Sequence, residues 1–441
     1  MIQRLLFYAG IALVLISGLG ILPMILGWLV LAVLAFKTRE WGLAAAVFFM
    51  PFFHSAGLGA NPYFTLKHYH LAAAILLAAE IFRGRTNEWL SPLAANFKEL
   101  IPLWLMLAVF AFSALMHHEP PGTFLMSANL ALVIAGTALI AALPQSSPEG
   151  LLQLFFYFVQ GSALQAAANL YNVRSGQFIF ELDLLYNNQF GMLMTFALFY
   201  ALTAAVYLRS FAARLTAIVF SFILAAAFLL SCSRTAWLSF GLASIFCVLA
   251  CRNPVPRRGR SVLAWRIGWL ALSGAAAFII LFIASEDVSQ RVTHLSQLLD
   301  WKYLKFTLSD RQNYGFLGIL RAEHLREMKE ILQLYPITGI GLAHRVTDFH
   351  GSFMVLLGAG GILGFVLYLI FMVRAIFKLC RIFHESRSRR GQAAIAATLA
   401  SFTAWQLSHL TQTMLVHYSA WFSVVAALII FRRPPFRELP V

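Results

Sequence analysis

Charge is what this 441-residue chain lacks most. Asp, Glu, Lys and Arg make up 12% of it, and 60% is hydrophobic; a soluble domain carries about 25% charged residues and roughly 45–50% apolar ones. An ordinary water-soluble core is therefore excluded. Cysteine is also sparse. Cys232, Cys247, Cys251 and Cys380 all lie in or beside apolar runs and form no CxxC, so they read as small packing residues, and neither a disulfide framework nor a zinc ribbon is expected. HExxH, GxxxxGK[ST] and DxD are missing as well. With them go the metalloprotease, phosphate-loop and paired-carboxylate metal chemistries that those spacings serve. No polar linker divides the chain, so it reads as one transmembrane domain, residues 1–441. The formal charge of +15 does not point to nucleic acid, because it is distributed as it is in the loops of a membrane protein.

What the sequence has instead is hydrophobic runs of about the length that crosses ~30 Å of hydrocarbon as a helix. They predict an all-α integral membrane protein, a polytopic bundle. Spans are expected near 5–20, 22–36, 41–53, 67–82, 100–116, 123–143, 150–171, 188–208, 212–231, 235–251, 267–285, 352–376, 393–413 and 415–431. The number is twelve instead of fourteen if the first hairpin or the pair flanking 54–66 does not fully cross. Pro23 is expected to split the first run into that hairpin, which is too long and lacks the cleavage site of a secretory signal.

Lys and Arg set the orientation. One alternate set of connections holds 22 of the 33, from Arg4 through "CRNPVPRRGR" to "RRPPFRE". The other set holds 11, and eight of these fall in a single loop, 286–350, balanced there by eight acidic residues. Both termini are therefore expected in the cytoplasm, with loop 286–350 outside. Within that loop Leu320, Leu325, Met328, Ile331 and Leu332 recur at helical spacing and Pro336 follows, which predicts an amphipathic helix roofing or lying along the membrane body.

Few residues outside the cytoplasmic set can carry chemistry. Arg234, in "LLSCSRTAWLSF", sits between two apolar runs with almost no loop. Its guanidinium must lie near the outer interface, where it either snorkels to lipid phosphate or clamps an anion. Arg321 heads the amphipathic helix and reads equally as a solvated surface charge. His350 ends the large loop at the mouth of a span, and neutral imidazole is the usual side chain for taking a proton near pH 7. His344, Arg345 and Asp348 stand beside it, and Arg174 lies in another outward stretch; these are possible helpers. Gly339, Gly341, Gly361 and Gly364 read as structural, giving a turn and then a small-residue helix face.

Taken in order these residues resemble a family. Ser-Arg-Thr (233–235) closes one span; an Arg (321) precedes "PITGIG" (336–341) by fifteen residues; His350 opens a span ahead of "GILG" (361–364); and "NNQFGMLM" (187–194) resembles an Asn-containing span entry. This pattern is similar to the O-antigen ligase / Wzy-type polymerase superfamily of bacterial envelope glycosyltransferases. It covers roughly 185–375 by motif. The resemblance implies a GT-C type, inverting transferase that uses no metal or other cofactor. It implies a glycan donor on undecaprenyl pyrophosphate, an acceptor hydroxyl, and a site on the periplasmic face of the inner membrane, with membrane lipids as surroundings and no nucleic acid. Arg234 and Arg321 would hold the donor pyrophosphate, and His350 would act at the acceptor hydroxyl. Two positions depart from the pattern: Gly351 follows the His where a polar residue is usual, and "GAG" (358–360) stands where a Glu often precedes Gly-x-x-Gly.

The leading reading is a ligase joining O-antigen to lipid A–core. A polymerase would share every residue named, and a protein O-oligosaccharyltransferase is a further acceptor choice. A lipid or solute transporter would require ionisable residues deep in the spans, where His409 and Gln412 are the notable ones.

Overall fold

The apolar runs fold as helices. The structure, a computed structural model, describes residues 2–15, 21–52, 58–61, 64–66, 68–84, 86–117, 121–143, 148–175, 187–231, 233–251, 316–342, 351–386, 388–409 and 418–432. In chain order the helices are α1 (Ile2–Leu15), α2 (Ile21–Lys37), α3 (Arg39–Phe48), α4 (His68–Phe82), α5 (Thr86–Glu99), α6 (Ile101–Met116), α7 (Pro121–Ala142), α8 (Pro148–Ser175), α9 (Asn187–Tyr207), α10 (Phe211–Leu230), α11 (Arg234–Ala250), α12 (Phe316–Leu334), α13 (Ser352–Glu385), α14 (Arg389–Ser408) and α15 (Tyr418–Phe431). A short antiparallel hairpin, β1 (Leu58–Asn61) and β2 (Phe64–Leu66), lies between α3 and α4 and is the one departure from an all-α chain among the described residues.

Five helical stretches are long and apolar enough to cross a membrane: Phe124–Ala142, Pro148–Asn169, Phe190–Tyr207, Phe211–Leu230 and Ser352–Glu385. This is an α-helical membrane protein. The bent pair α5–α6, with 64° between its arms, makes a sixth crossing if it counts as one span. The difference from the twelve to fourteen expected is mostly one of length, although α14, at 20 residues, is long enough and falls short in apolarity. Several apolar runs become helices of 14–17 residues, about 21–26 Å at 1.5 Å per residue. The 10-residue α3 reaches about 15 Å, half a bilayer. The expected span at 267–285 lies outside the described residues.

Two local expectations change. Residues 83–99, read as a connection, contain α5, which carries Pro92 inside it; its few apolar residues hid it from a hydropathy reading. Nor does Pro23 make the first hairpin. It is the third residue of α2, in the first turn, where a missing N–H costs nothing. α1 and α2 instead pack through glycine, since a Cβ on Gly27 would stand 2.6 Å from the Gly10 carbonyl oxygen.

The bundle has two unlike ends. At one, Glu80 is wholly buried and binds Arg39 (2.7 Å) and Arg83, with Glu88 adding a second contact to Arg39 at 3.1 Å. Glu99 binds Lys378 (2.5 Å) and Arg374 (3.3 Å), and Glu149 binds Arg390 (2.6 Å) and Arg209 (2.8 Å). Lys378 also lies 4.5 Å from the centre of the Phe431 ring, and next to it Arg432 donates to the carbonyls of Ala141 and Ala142, closing the C-terminus of α7. Burial lowers the Arg432 pKa to about 10, which leaves it charged at neutral pH. All the Lys and Arg residues here belong to the connections assigned to one side of the membrane by their basic content. The helices that start or finish here, α6, α9, α13 and α14, have their other termini at the opposite end.

Candidate functional site

At that opposite end the packing is done by backbone. α13 is broken at Gly361, whose φ of 57° and ψ of −157° are not helical. A regular helix would pair the Ile362 N–H with the Gly358 carbonyl and the Leu363 N–H with the Ala359 carbonyl. Neither bond forms. The "PITGIG" stretch that follows α12 supplies the missing partners. Ile340 and Gly341 donate to the Gly358 and Ala359 carbonyls, both at 2.9 Å, while Ile362 donates to the Pro336 carbonyl at 2.9 Å and Leu363 to the Ile337 carbonyl at 3.1 Å. Four backbone bonds thus join the two segments. This accounting matters in a membrane, where an unsatisfied backbone group costs several kcal/mol and irregular chain is tolerated only where protein or water satisfies it.

The glycines make the splice possible. Gly339, Gly341 and Gly361 all have positive φ. A Cβ on Gly339 would lie 2.3 Å from the Gly358 carbonyl oxygen, and one on Gly361 would lie 2.5 Å from the Ile337 carbonyl carbon. α6 closes the third side. The Ser113 hydroxyl donates to the carbonyls of Thr338 and Gly339 (3.1 Å to the latter). Phe110 fits over Gly360 and Gly364, whose added Cβ atoms would stand 2.6 and 3.1 Å from its ring. The His117 and Tyr335 rings sit 4.0 Å apart at the rim. α12 is joined to this unit through its last turns, where Ile331 is buried and Met328 partly so.

Gly351, with φ of 106°, caps the start of α13, and its carbonyl receives the Met354 and Val355 N–H groups at 3.1 and 3.2 Å. The Phe353 N–H meets the carbonyl of His409, the C-cap that follows α14, at 3.4 Å. His409 is wholly buried, among the rings of Phe353, Tyr368 and Trp405. The Tyr368 hydroxyl donates to Gln406 Oε1 at 2.9 Å and contacts His409 Nε2. With its one proton on Gln406, the hydroxyl accepts from His409, which fixes the Nε2–H tautomer.

Arg234 opens α11, and its neighbour Ser233 is the N-cap, accepting the Ala236 N–H on its hydroxyl at 3.2 Å. This turn is pressed against the start of α9. A Cβ on Gly191 would come within 2.6 Å of the Ser231 hydroxyl and 2.8 Å of Ser233, and the Thr195 hydroxyl reaches the Gly191 carbonyl (3.0 Å) and the Ala236 carbonyl (3.5 Å). The "SRT" and "NNQFG" stretches, some forty residues apart in sequence, are thus one unit.

Of the candidate residues, the structure brings Gly339, Gly341, Gly361 and Gly364 together against α6 and sets the Arg234 backbone beside α9. The Arg321 backbone is on α12, about 15 Å along the axis from Ile331, and Arg174 is the penultimate residue of α8. His344, Arg345, Asp348 and His350 lie outside the described residues. Among the described residues no three His, Cys, Asp or Glu side chains converge as a metal would need. Sequence reasoning passed over the Tyr368–Gln406–His409 group as a site element; the only signal was a Gln and a His three apart in an apolar run. Compared with protein-family models and with curated proteins, the chain matches none.

Proposed function

We infer that the protein is a GT-C type glycosyltransferase of the bacterial inner membrane, and within that class an O-antigen ligase. The observation that carries this is the gathering of separate motifs at one end of the bundle. The "SRT" turn, the "NNQFG" helix start, the "PITGIG" splice and the mouth of the "GILG" helix all belong to the end opposite the ion-paired, Lys- and Arg-rich one. The positive-inside rule makes the charged end cytoplasmic, with both termini, and the motif end periplasmic.

The chemistry this end would perform is displacement at an anomeric carbon. The hydroxyl of lipid A–core attacks C1 of the polysaccharide from the face opposite the undecaprenyl pyrophosphate, the C1–O bond to the phosphate breaks, and the configuration inverts. Arg234 and Arg321 hold the leaving pyrophosphate, whose growing negative charge a permanently charged guanidinium stabilises bidentately. His350, one residue before the α13 cap, accepts the hydroxyl proton. The splice fixes the mouth of α13 relative to α6 and α12, so that a hydroxyl and a pyrophosphate can be held in line.

The test is restoration of lipopolysaccharide ladders in a strain that lacks its own O-antigen ligase and is supplied with the matching donor and acceptor pathways. Wild type restores the ladder; His350→Ala, Arg234→Ala and Arg321→Ala at equal membrane level do not. No ladder from wild type, with lipid-linked glycan chains lengthening instead, would make the protein a polymerase.

A further inference from the structure

One helix carries an interior stripe that changes character along its length. On α8, Phe155, Phe158, Ser162, Gln165 and Asn169 fall on one face by their three- and four-residue spacing. The inner part of the stripe is aromatic and closed. Phe155 lies 4.4 Å from Tyr200 of α9, and Phe158 stacks 4.2 Å from Phe422 of α15. The outer part is two carboxamides. Gln165 is 0% and Asn169 3% exposed, and neither the oxygen nor the nitrogen of either amide has a hydrogen-bond partner among the described residues. The other buried polar side chains of α8 are satisfied: Gln160 pairs with the Tyr8 hydroxyl, and Ser162 donates to the Phe158 carbonyl.

Their depth is informative. α8 starts among the ion pairs of Glu149, and the 22 residues from Pro148 to Asn169 span about 33 Å, slightly more than the hydrocarbon. Gln165 and Asn169 therefore lie at the opposite interface, facing inward. Arg174 is about 7.5 Å further along the same helix, and α9 separates them from the turn that carries Arg234. Four unpaired amide atoms, two accepting and two donating, are costly to bury. An anion would satisfy only the two donors and a lipid tail neither kind, whereas neutral hydroxyl and acetamido groups, which both donate and accept, match all four.

We propose that Gln165 and Asn169 form the subsite for the sugar joined directly to the lipid pyrophosphate. This rests on the glycan-transfer reading above. The phosphates would engage the arginines while the first sugar presents its hydroxyls to the carboxamides from within the bundle.

The experiment compares two probes on the purified full-length protein in detergent: a polyprenyl pyrophosphate carrying one N-acetylhexosamine, and the same lipid pyrophosphate without sugar. Wild type binds the sugar-bearing lipid about tenfold more tightly, the worth of one or two hydrogen bonds. The Gln165→Met, Asn169→Leu double variant binds both lipids alike, and without ligand it unfolds at a temperature no lower than wild type, because two unpaired amides have been removed. A variant that keeps the tenfold preference, or a wild type that shows none, overturns the subsite while the lipid-donor reading stands. A variant that unfolds well below wild type shows that the amides hold structural water, which also overturns it. Wild type binding neither lipid ends the donor reading itself.

Discussion

The two ends of the bundle are held by different means. At one end Glu80, Glu99 and Glu149 each pair with two basic side chains, while the Arg326–Glu330 pair on α12 is exposed. Side chains lock that end, pairing acid to base across helices far apart in sequence. The other end is locked by main chain, with the "PITGIG" carbonyls and amides inserted into the broken ladder of α13. The difference suits a transferase. A backbone lock needs no charged side chain, and glycines let segments approach within backbone contact at interface depth.

Substitutions can break or sharpen this contrast. The largest effect is expected at the charged end. Glu80→Ala removes the buried carboxylate that holds Arg83 and, together with Glu88, Arg39, and the loss should cost about 3 kcal/mol, the lower part of the range for a buried pair; thermal unfolding in detergent should show it, with transfer per folded molecule unchanged. Arg234→Ala should do the reverse. It lowers the transfer rate by roughly 10²–10³-fold, as loss of one transition-state charge partner does, and leaves the unfolding midpoint within a degree or two. Gly361→Ala falls between, affecting both readouts. A side chain at φ of 57°, against the Ile337 carbonyl, costs on the order of 1–3 kcal/mol and loosens the splice, so stability and transfer fall together.

How much of this could be read from the sequence differs by level. The helical membrane class followed from composition, and the ends of most helices followed from the apolar runs. Basic residues that the orientation rule put on one side, Arg39, Arg83, Lys378 and Arg390 among them, pair with acids at one end of the bundle. The span count did not follow, because hydropathy registers where a run is apolar and not how far its helix continues: α3 ends at Phe48, while α13 runs on to Glu385 through residues that pattern alone assigns to a loop. α5 was illegible for the same reason. At the candidate site the glycines were visible, but their partners were not. Nothing local in "GAGGILG" says that its carbonyls at 358 and 359 are taken by amides at 340 and 341. The Gln165–Asn169 pair was equally silent, since an amide in an apolar run looks the same whether or not it has a partner.

Two smaller effects refine the contrast. Ser113→Ala removes the hydroxyl that ties α6 to the Thr338 and Gly339 carbonyls and should lower stability by about 1 kcal/mol, measured against Ser221→Ala, whose hydroxyl bonds only within its own helix. Arg326→Ala, at an exposed pair on α12, should change stability by no more than about 0.5 kcal/mol. A larger loss there would mean that α12 is held by charge after all.

The central claim is that the backbone-locked end transfers a glycan from a lipid pyrophosphate. It is tested most directly by purified protein in liposomes, given labelled lipid-linked glycan and lipid A–core without nucleotide, ion gradient or other protein. The account predicts labelled lipid A–core from wild type and none from His350→Ala or Arg234→Ala, with all three proteins unfolding at the same temperature. Full product from His350→Ala, or movement of the labelled lipid across the bilayer with no new glycosidic bond, would contradict it.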